Sequence, residues 1–298
     1  NPQDQISELS ALLPGQLGTR RNALRLALGA GYAAATLPVM AQTAIQTSAD
    51  GLKVGQTVCE VQGFQVPLYY AAPADKKNVP VILVVHEIFG VHAYIADVCR
   101  RLAKAGYLAV APDLFARQGD ASQYPQISTL MTEVVAKVSD AQVMGDLDGV
   151  LRWASENAGN PKKAGITGFC WGGRIAWLYA QRSSQIRAAV AWYGRLVGTA
   201  SGMTPQQPLD LAAQIKAPVL GLYGAQDQGI PLTTVNAMKD ALAAAGAKGN
   251  AAARDSAFVV YRDAGHAFHA DYRPSYRPEA AQDGFSRALQ WFTTHGVG

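Results

Sequence analysis

Short apolar runs alternate with amphipathic segments along the body of the chain. Val81–Val85 is a continuous, mostly β-branched apolar run, which is typical of a strand buried on both faces of a parallel sheet. The following segment, residues 91–105, carries apolar Ile95, Val98 and Leu102 at helical spacing. Because this strand-then-helix unit recurs, the pattern predicts a single α/β domain with a mostly parallel central sheet flanked by helices.

The same pattern predicts most of the remaining elements. Six further strands are expected, the first two as a hairpin, at 54–61, 64–70, 107–111, 186–192, 219–223 and 258–261. Helices are expected at 127–157, 232–245 and 278–294. The first of these exceeds the usual helix length, which leaves room for a break between Ser139 and Gly145. Residues 114–125 and 195–212 contain glycine, proline and polar side chains, and they are predicted as loops.

The N-terminal region differs in character from the rest of the chain. Thr19–Arg25 contains paired arginines, and an apolar run rich in Ala, Leu and Gly follows over Leu26–Met40. This order is the layout of a secretory signal, and the arginines resemble a twin-arginine export signal, although Ala23 stands where that signal usually has Phe. We therefore expect a leader over 1–50, a folded domain over 51–298 and a periplasmic protein. The alternative is an N-terminal amphipathic helix in a cytoplasmic protein.

Composition narrows the class of protein. Of the 298 residues 49% are hydrophobic and 16% are charged, and the formal net charge is +4 without a basic stripe, which argues against a nucleic-acid partner. The body contains no run of 18 apolar residues, so stable membrane insertion of the domain is not expected. Three cysteines are too few for a disulfide framework, and Cys59 and Cys99 are expected to be two free buried thiols rather than a bonded pair.

One stretch has the layout of a nucleophile elbow. A strand-like run ends in Gly168-Phe169-Cys170-Trp171-Gly172-Gly173 and passes directly into a helical pattern. Such a tight turn between strand and helix needs glycines near the nucleophile, because the two elements pass each other closely. Cys170 then stands at the positive end of a helix, which favours the thiolate. A buried packing cysteine is the alternative interpretation of the same residue.

Four polar residues follow predicted strands, where functional groups gather in a parallel sheet. They are Glu87, Cys170, Asp227 and His266. Each of them alone has an ordinary explanation as a turn, loop or packing residue. The order nucleophile, acid and histidine nevertheless matches that of the α/β-hydrolases. No cluster has the spacing of metal ligands, and the body has no Gly-rich dinucleotide loop, so neither a metal nor a cofactor is expected.

Several short motifs occur together over approximately residues 52–296. They are His86–Gly90, Arg101–Tyr107, Pro112–Leu114, Gly168–Gly173, Trp192–Gly194 and Gly265–Phe268. In combination they resemble the dienelactone hydrolase family (carboxymethylenebutenolidases). The resemblance implies the α/β-hydrolase fold, a catalytic triad of Cys170, Asp227 and His266, and an activating carboxylate at Glu87. The backbone N–H groups of Ile88 and Trp171 are the expected oxyanion hole.

Substrate recognition in the well-known members of that family rests on two arginines, and this chain departs from the pattern. No arginine lies between Gln118 and Leu151, and Ala270 stands four residues after the histidine. Arg117 and Arg273 are close enough in sequence to substitute.

Tyr193 and Phe268, within the motifs, are the other expected substrate contacts. The sequence thus predicts a hydrolase of a small ester or lactone that acts through an acyl-Cys170 intermediate. A non-catalytic binding or signalling protein with the hydrolase fold is the alternative, whereas thiol redox chemistry is disfavoured because Cys170 has no Cys-x-x-Cys partner.

Overall fold

The computed structural model describes residues 44–298. The predicted export signal within residues 19–41 lies outside the described residues. In the described range the strands are β1 (Leu52–Val61), β2 (Phe64–Pro73), β3 (Val79–Val85), β4 (Leu108–Pro112), β5 (Gly159–Phe169), β6 (Ala188–Trp192), β7 (Val219–Gly224) and β8 (Ala257–Tyr261). The α-helices are α1 (Ala93–Lys104), α2 (Ile127–Glu133), α3 (Asp140–Glu156), α4 (Trp171–Arg182), α5 (Leu232–Ala247), α6 (Ala251–Asp255) and α7 (Pro278–Thr294).

The strands form one eight-stranded sheet in the order β1-β2-β4-β3-β5-β6-β7-β8. The β1–β2 and β2–β4 pairs are antiparallel, and every pair from β4 to β8 is parallel. Five consecutive residues in each of β3 and β6 are buried, as expected for central strands covered on both faces. The predicted α/β-hydrolase fold with a mostly parallel sheet is confirmed.

The long helical pattern is interrupted earlier than the sequence suggested. Helix α2 ends at Glu133, a 3₁₀ turn spans Val135–Lys137, and α3 starts after Ser139. The Ser139 hydroxyl accepts a hydrogen bond from the Gln142 N–H at 3.1 Å, which caps the new helix and fixes its start. The expected break between Ser139 and Gly145 is therefore wrong by a few residues, because the capping serine begins a helix at that position.

The predicted loop 195–212 contains part of a 3₁₀ helix, Pro208–Gln214. Buried Arg174 of α4 holds the start of this segment. Its guanidinium makes two hydrogen bonds to the Asp140 carboxylate, at 2.7 and 2.9 Å, and donates from Nε to the Gln207 side chain at 2.8 Å. Because Arg174 of α4 binds Asp140 of α3 and Gln207 of the loop at the same time, it holds the loop against both helices.

The folded body starts ahead of the predicted boundary at residue 51. Thr47 donates from its backbone N–H to Asp97 of α1 at 2.6 Å, and Arg100 donates to the Thr47 carbonyl at 2.8 Å. Residues 44–50, assigned to the leader from sequence, thus pack on the domain. Cys59 and Cys99 are buried and free, as predicted. No helix within residues 44–298 is both long and apolar enough to cross a membrane.

Candidate active site

Cys170 occupies a strained turn between β5 and α4. Its backbone has φ +56° and ψ −115°, a region that residues with side chains rarely adopt. The glycines around it make this turn possible, since a Cβ on Gly168 would lie 2.0 Å from the Gly172 carbonyl oxygen. A Cβ on Gly172 would lie 2.4 Å from the Val85 carbonyl oxygen. The elbow geometry predicted from the glycine spacing is present, with the thiol at the N-terminus of a helix.

His266 and Asp227 lie beyond the carboxyl ends of β8 and β7, at the same edge of the parallel sheet as Cys170. The His266 Nδ1 lies 2.7 Å from the Asp227 Oδ2, and both side chains are fully buried. The other oxygen of Asp227 accepts the backbone N–H groups of Gly229 at 2.9 Å and Ile230 at 3.1 Å. These bonds fix the Asp227 carboxylate, which binds Nδ1 of His266 and leaves Nε2 on the side of the ring away from Asp227.

The electrostatic surroundings of His266 favour its charged form. Burial alone would lower the pKa of the imidazole, but Cys170 and Asp227, both by charge and by hydrogen bonds, raise that pKa well above its usual value. The structure therefore brings together the three residues predicted as a triad. A buried imidazolium between a carboxylate and a sulfur can stabilise a thiolate.

Glu87 follows β3 and is almost fully buried. Its Oε2 accepts a hydrogen bond from the Tyr272 hydroxyl at 2.6 Å and lies 3.3 Å from His92 Nε2. Burial would raise the pKa of this carboxyl, yet the hydrogen bond with His92 and the positive charge of Arg273 lower it to about 2. Glu87 is accordingly an ionised carboxylate held in a polar cluster.

Buried His86 fixes the turn that carries Ile88. The Leu114 N–H donates to His86 Nε2 at 3.1 Å, so the proton must be on Nδ1, which donates to the Glu87 carbonyl at 2.5 Å. Burial lowers the pKa of His86 to about 4, which keeps the ring neutral. Among residues 44–298 neither the Ile88 nor the Trp171 N–H donates to a protein acceptor, so both amides are available to an oxyanion.

The two predicted substrate arginines are placed very differently. Arg273 is buried, with its guanidinium 4.9 Å from the Phe89 ring centroid and its Nε 3.2 Å from the Tyr272 hydroxyl. Burial opposes its charge, but Tyr272, Glu87 and Cys170 raise its pKa above the usual value. Arg273 therefore belongs to the cluster around the sulfur.

Arg117 does not join that cluster. Its guanidinium pairs with Asp146 at 2.6 Å, donates to the Val61 carbonyl at 3.1 Å and lies 4.3 Å from the Phe64 ring centroid. These partners belong to α3 and the β1–β2 hairpin, and none of the contacts of Arg117 within the described chain involves the residues around Cys170. Contrary to the sequence interpretation, the structure does not bring Arg117 to the candidate site, because tertiary packing commits its charge to an ion pair with Asp146.

Tyr193 and Phe268 were also expected to contact the substrate, and both are fully buried. The Tyr193 ring lies edge-on to His266 with 5.1 Å between centroids, and it packs against Phe268 at 5.2 Å. Tyr193 has φ +39°, a left-handed value that residues with side chains rarely adopt. In this structure Tyr193 supports the imidazole, and Phe268 packs against Tyr193 and Trp192.

No group of three or more His, Cys, Asp or Glu side chains within residues 44–298 is arranged to hold a metal ion. The cluster around Cys170 contains a thiol, an imidazole, two carboxylates and a guanidinium. These are the components of acyl transfer through a cysteine.

Comparison with known proteins agrees with this geometry. The profile of the "Dienelactone hydrolase family" matches residues 66–296, well over half of the chain. The chain belongs to the dienelactone hydrolase family. The resemblance inferred from the motifs is confirmed, and so is the prediction that the chain is an ester or lactone hydrolase.

Individual members of the dienelactone hydrolase family are similar over nearly the whole chain. A "Putative carboxymethylenebutenolidase" of Methylorubrum extorquens is 52% identical and covers 98% of both chains. A protein of the same name from Escherichia coli K12 is 51% identical over 89% of this chain and 96% of its own. The crystal structure of a "Putative Dienelactone Hydrolase" from Klebsiella pneumoniae is 52% identical, with a TM-score of 0.77 over 81% of this chain and 98% of that one.

Two residues of this dienelactone hydrolase site escaped the sequence interpretation. His92 and Tyr272 are the hydrogen-bond partners of Glu87, and neither belongs to a recognised motif. A signal did exist for Tyr272, because it lies next to Arg273 in the segment after His266. For His92 the only hint is its place directly before a predicted helix that follows the Glu87 turn.

Proposed function

We propose that this chain hydrolyses a small ester or lactone through a thioester on Cys170, with His266 and Asp227 completing the triad. The observation that carries this proposal is the strained Cys170 turn at a helix N-terminus, facing a His266 imidazole hydrogen-bonded to Asp227 at 2.7 Å. A packing cysteine would need neither the strained backbone nor the oriented imidazole.

The reaction proceeds in two acyl-transfer steps. The Cys170 thiolate attacks the carbonyl carbon, and the developing oxyanion accepts hydrogen bonds from the Ile88 and Trp171 N–H groups. As the C–O bond breaks, the His266 imidazolium gives its proton to the leaving oxygen, and the acyl group remains on sulfur. Water then attacks the thioester while His266 takes a proton from it, and the departing thiolate pairs again with the imidazolium.

Glu87 and Arg273 contribute one negative and one positive charge near the sulfur of Cys170. With its pKa lowered to about 2, Glu87 stays ionised between Tyr272 and His92 and does not keep the thiol proton. Arg273 favours negative charge on the sulfur or on a bound substrate. A buried guanidinium beside the nucleophile suits an ester or lactone that carries a carboxylate. The relatives named carboxymethylenebutenolidases support the same substrate class.

Replacing the nucleophile tests the proposed reaction. Cys170→Ala is expected to lower kcat for activated aryl esters and dienelactones by on the order of 10⁴-fold or more, because it removes the attacking atom. Cys59→Ala is the matched control, since it deletes another buried thiol and leaves turnover unchanged. Retained turnover in Cys170→Ala would contradict a Cys170 acyl-enzyme. A wild type that neither turns over these substrates nor is covalently labelled at Cys170 at neutral pH would favour a non-catalytic binding protein.

Replacing each arginine in turn tests recognition of the substrate's carboxylate. Arg273→Gln is expected to raise KM about 10-fold or more for esters bearing a carboxylate relative to matched neutral esters, because it removes a buried charge pair. Arg117→Gln should leave this ratio unchanged. A KM rise of equal size for both ester classes in Arg273→Gln would contradict an acidic substrate.

Export to the periplasm remains a proposal based on the sequence of residues 19–41 alone. Fractionation of the native host, with detection of this chain, tests it. The protein is expected in the periplasmic fraction, and full-length chain in the cytoplasm would contradict export.

A further inference from the structure

The segment that precedes β1 is bound to the domain at two buried carboxylates. In this N-terminal strap, residues 44–47, the Thr47 N–H donates to Asp97 Oδ1 at 2.6 Å and its hydroxyl to Oδ2 at 3.2 Å. The Ile45 N–H donates to the carboxylate of Asp271. Asp97 and Asp271 are 2% and 1% exposed, so the strap binds to carboxylates that are buried within the domain.

Arg101 of α1 joins the two anchors. It donates from Nε to the Asp97 carboxylate at 2.6 Å and from Nη2 to the Asp271 carboxylate. Arg100 also pairs with Asp97, at 2.8 Å. Two carboxylates and two guanidiniums thus form a neutral, mostly buried network that requires the strap amides to complete its hydrogen bonds.

The second anchor leads directly into the candidate active site. Asp271 precedes Tyr272 and Arg273 in the chain, and Tyr272 donates to Glu87 at 2.6 Å. Arg273 in turn interacts electrostatically with Cys170. A displacement of Asp271 would therefore change what faces both the carboxylate and the sulfur.

A cavity of about 320 Å³ lies between part of the strap and the segment Asp271–Tyr272. Strap residues 44–47 line it together with His92 and Tyr272, the two partners of Glu87. The strap therefore covers one side of Asp271 and Tyr272. The strap also lies outside residues 66–296, the part of the chain matched by the family profile.

We infer that the strap positions the active site: through Asp271 it holds Tyr272 on Glu87 and Arg273 beside Cys170. Ile45 and Thr47 are positioning residues in this arrangement. The inference rests on the proposed function insofar as Cys170 is the nucleophile, but its effect on the sulfur is measurable without turnover.

Proline substitutions in the full-length chain test the inference. Ile45→Pro removes the donor to Asp271, whereas Gln46→Pro introduces the same ring one residue away, at an amide that binds no acceptor in the described chain. The main readout is the rate of iodoacetamide alkylation of Cys170 against pH, located by peptide mass spectrometry. Thermal unfolding of each variant reports the fold, and kcat/KM for an aryl ester is measured in parallel.

Ile45→Pro is expected to slow alkylation about 3- to 10-fold near neutral pH and to move its pH midpoint upward, because Arg273 no longer favours the thiolate as strongly. Gln46→Pro should match the wild type. Thr47→Ser should also match it, because serine retains both donors to Asp97. A midpoint in Ile45→Pro equal to that of Gln46→Pro, even with a lowered Tm, would overturn the inference and reduce the strap to a structural role. An inactive wild type would instead contradict the proposed function, and the alkylation result would still decide the role of the strap.

Discussion

The charges that surround the sulfur of Cys170 determine its reactivity. A free cysteine thiol has a pKa of about 8.5 and is mostly protonated at neutral pH. Here the buried sulfur faces the imidazole of His266 and the guanidinium of Arg273, and it stands at a helix N-terminus. All three features favour the thiolate, whereas Glu87 opposes it.

Neutralising Asp227 should weaken this balance. Asp227→Asn removes the charge that stabilises the imidazolium, so the pH midpoint of Cys170 alkylation is expected to rise and kcat to fall by about 10² to 10⁴-fold. Asp240→Asn, at an exposed position of α5, is the control for loss of one carboxylate. An unchanged midpoint in Asp227→Asn would show that His266 is not charged in the resting enzyme.

The sequence was sufficient to select Cys170, Asp227 and His266 as residues of one site, but not to find their neighbours. Cys170, Asp227 and His266 each follow a predicted strand, and they occur in the order typical of α/β-hydrolases. Both features are visible in the sequence alone. The Tyr272–Glu87 contact joins residues 185 positions apart, so no local pattern indicates it. The placement of Arg117 could not be predicted for the same reason, because its ion pair with Asp146 depends on how α3 packs.

At the scale of elements, the site depends on how closely β5 and α4 approach each other. The backbone of α4 also touches the end of β3, where the Gly172 position lies against the carbonyls of Val85 and His86. This contact brings the Trp171 amide next to the turn that carries Ile88. The strand–turn–helix unit thereby places Cys170 and the Trp171 amide beside the turn of Ile88, as the proposed nucleophile and oxyanion hole require.

Adding one methyl group at the elbow should disrupt this unit. Gly168→Ala places a Cβ 2.0 Å from a backbone oxygen that cannot move without displacing α4, and we expect a loss of about 3 kcal/mol or more in unfolding free energy. Gly202→Ala is the control, because nothing lies within 4 Å of its Cβ. Urea denaturation measures both, and equal stabilities would contradict the close approach.

Most elements could be predicted because their hydrophobic period is strong. The predicted bounds of the helix at 278–294 match the structure at both ends, and the predicted bounds of the central strands match to within a few residues. The 3₁₀ helix Pro208–Gln214 was missed, since Pro205 and Pro208 favour a loop and its support comes from the distant Arg174. Short α6 was also missed, since five residues carry too little periodicity.

For the whole molecule, buried neutral histidines make stability sensitive to acid. Burial lowers the pKa of His269 to about 3 and that of His86 to about 4, while burial raises the pKa of Asp113 to about 6. The histidines bind fewer protons when folded, so their contribution is lost as pH falls below 6.5. Asp113, whose carboxylate lies 4.0 Å from His86, binds its proton more tightly in the folded state. Its protonation therefore offsets the stability that protonation of His86 would cost as the pH falls. His269 therefore dominates the net effect.

Titration of stability against pH tests this assignment. Between pH 6.5 and 4 the neutral burial of His269 should cost the wild type on the order of 3 kcal/mol of unfolding free energy. His269→Gln, which retains a polar partner for the Tyr94 hydroxyl at 2.6 Å, should show a shallower decline over the same window. Parallel curves for the two proteins would place the acid sensitivity in another group.

Rapid-quench intact-protein mass spectrometry with a p-nitrophenyl ester tests the central claim most directly. The proposed mechanism predicts a burst of p-nitrophenol together with one acyl group on the peptide that contains Cys170, and no acyl group on the peptides of Cys59 or Cys99. The adduct should persist longer in Asp227→Asn, because thioester hydrolysis needs the oriented imidazole. Steady turnover without any adduct on Cys170, or with the acyl group on another residue, would contradict it.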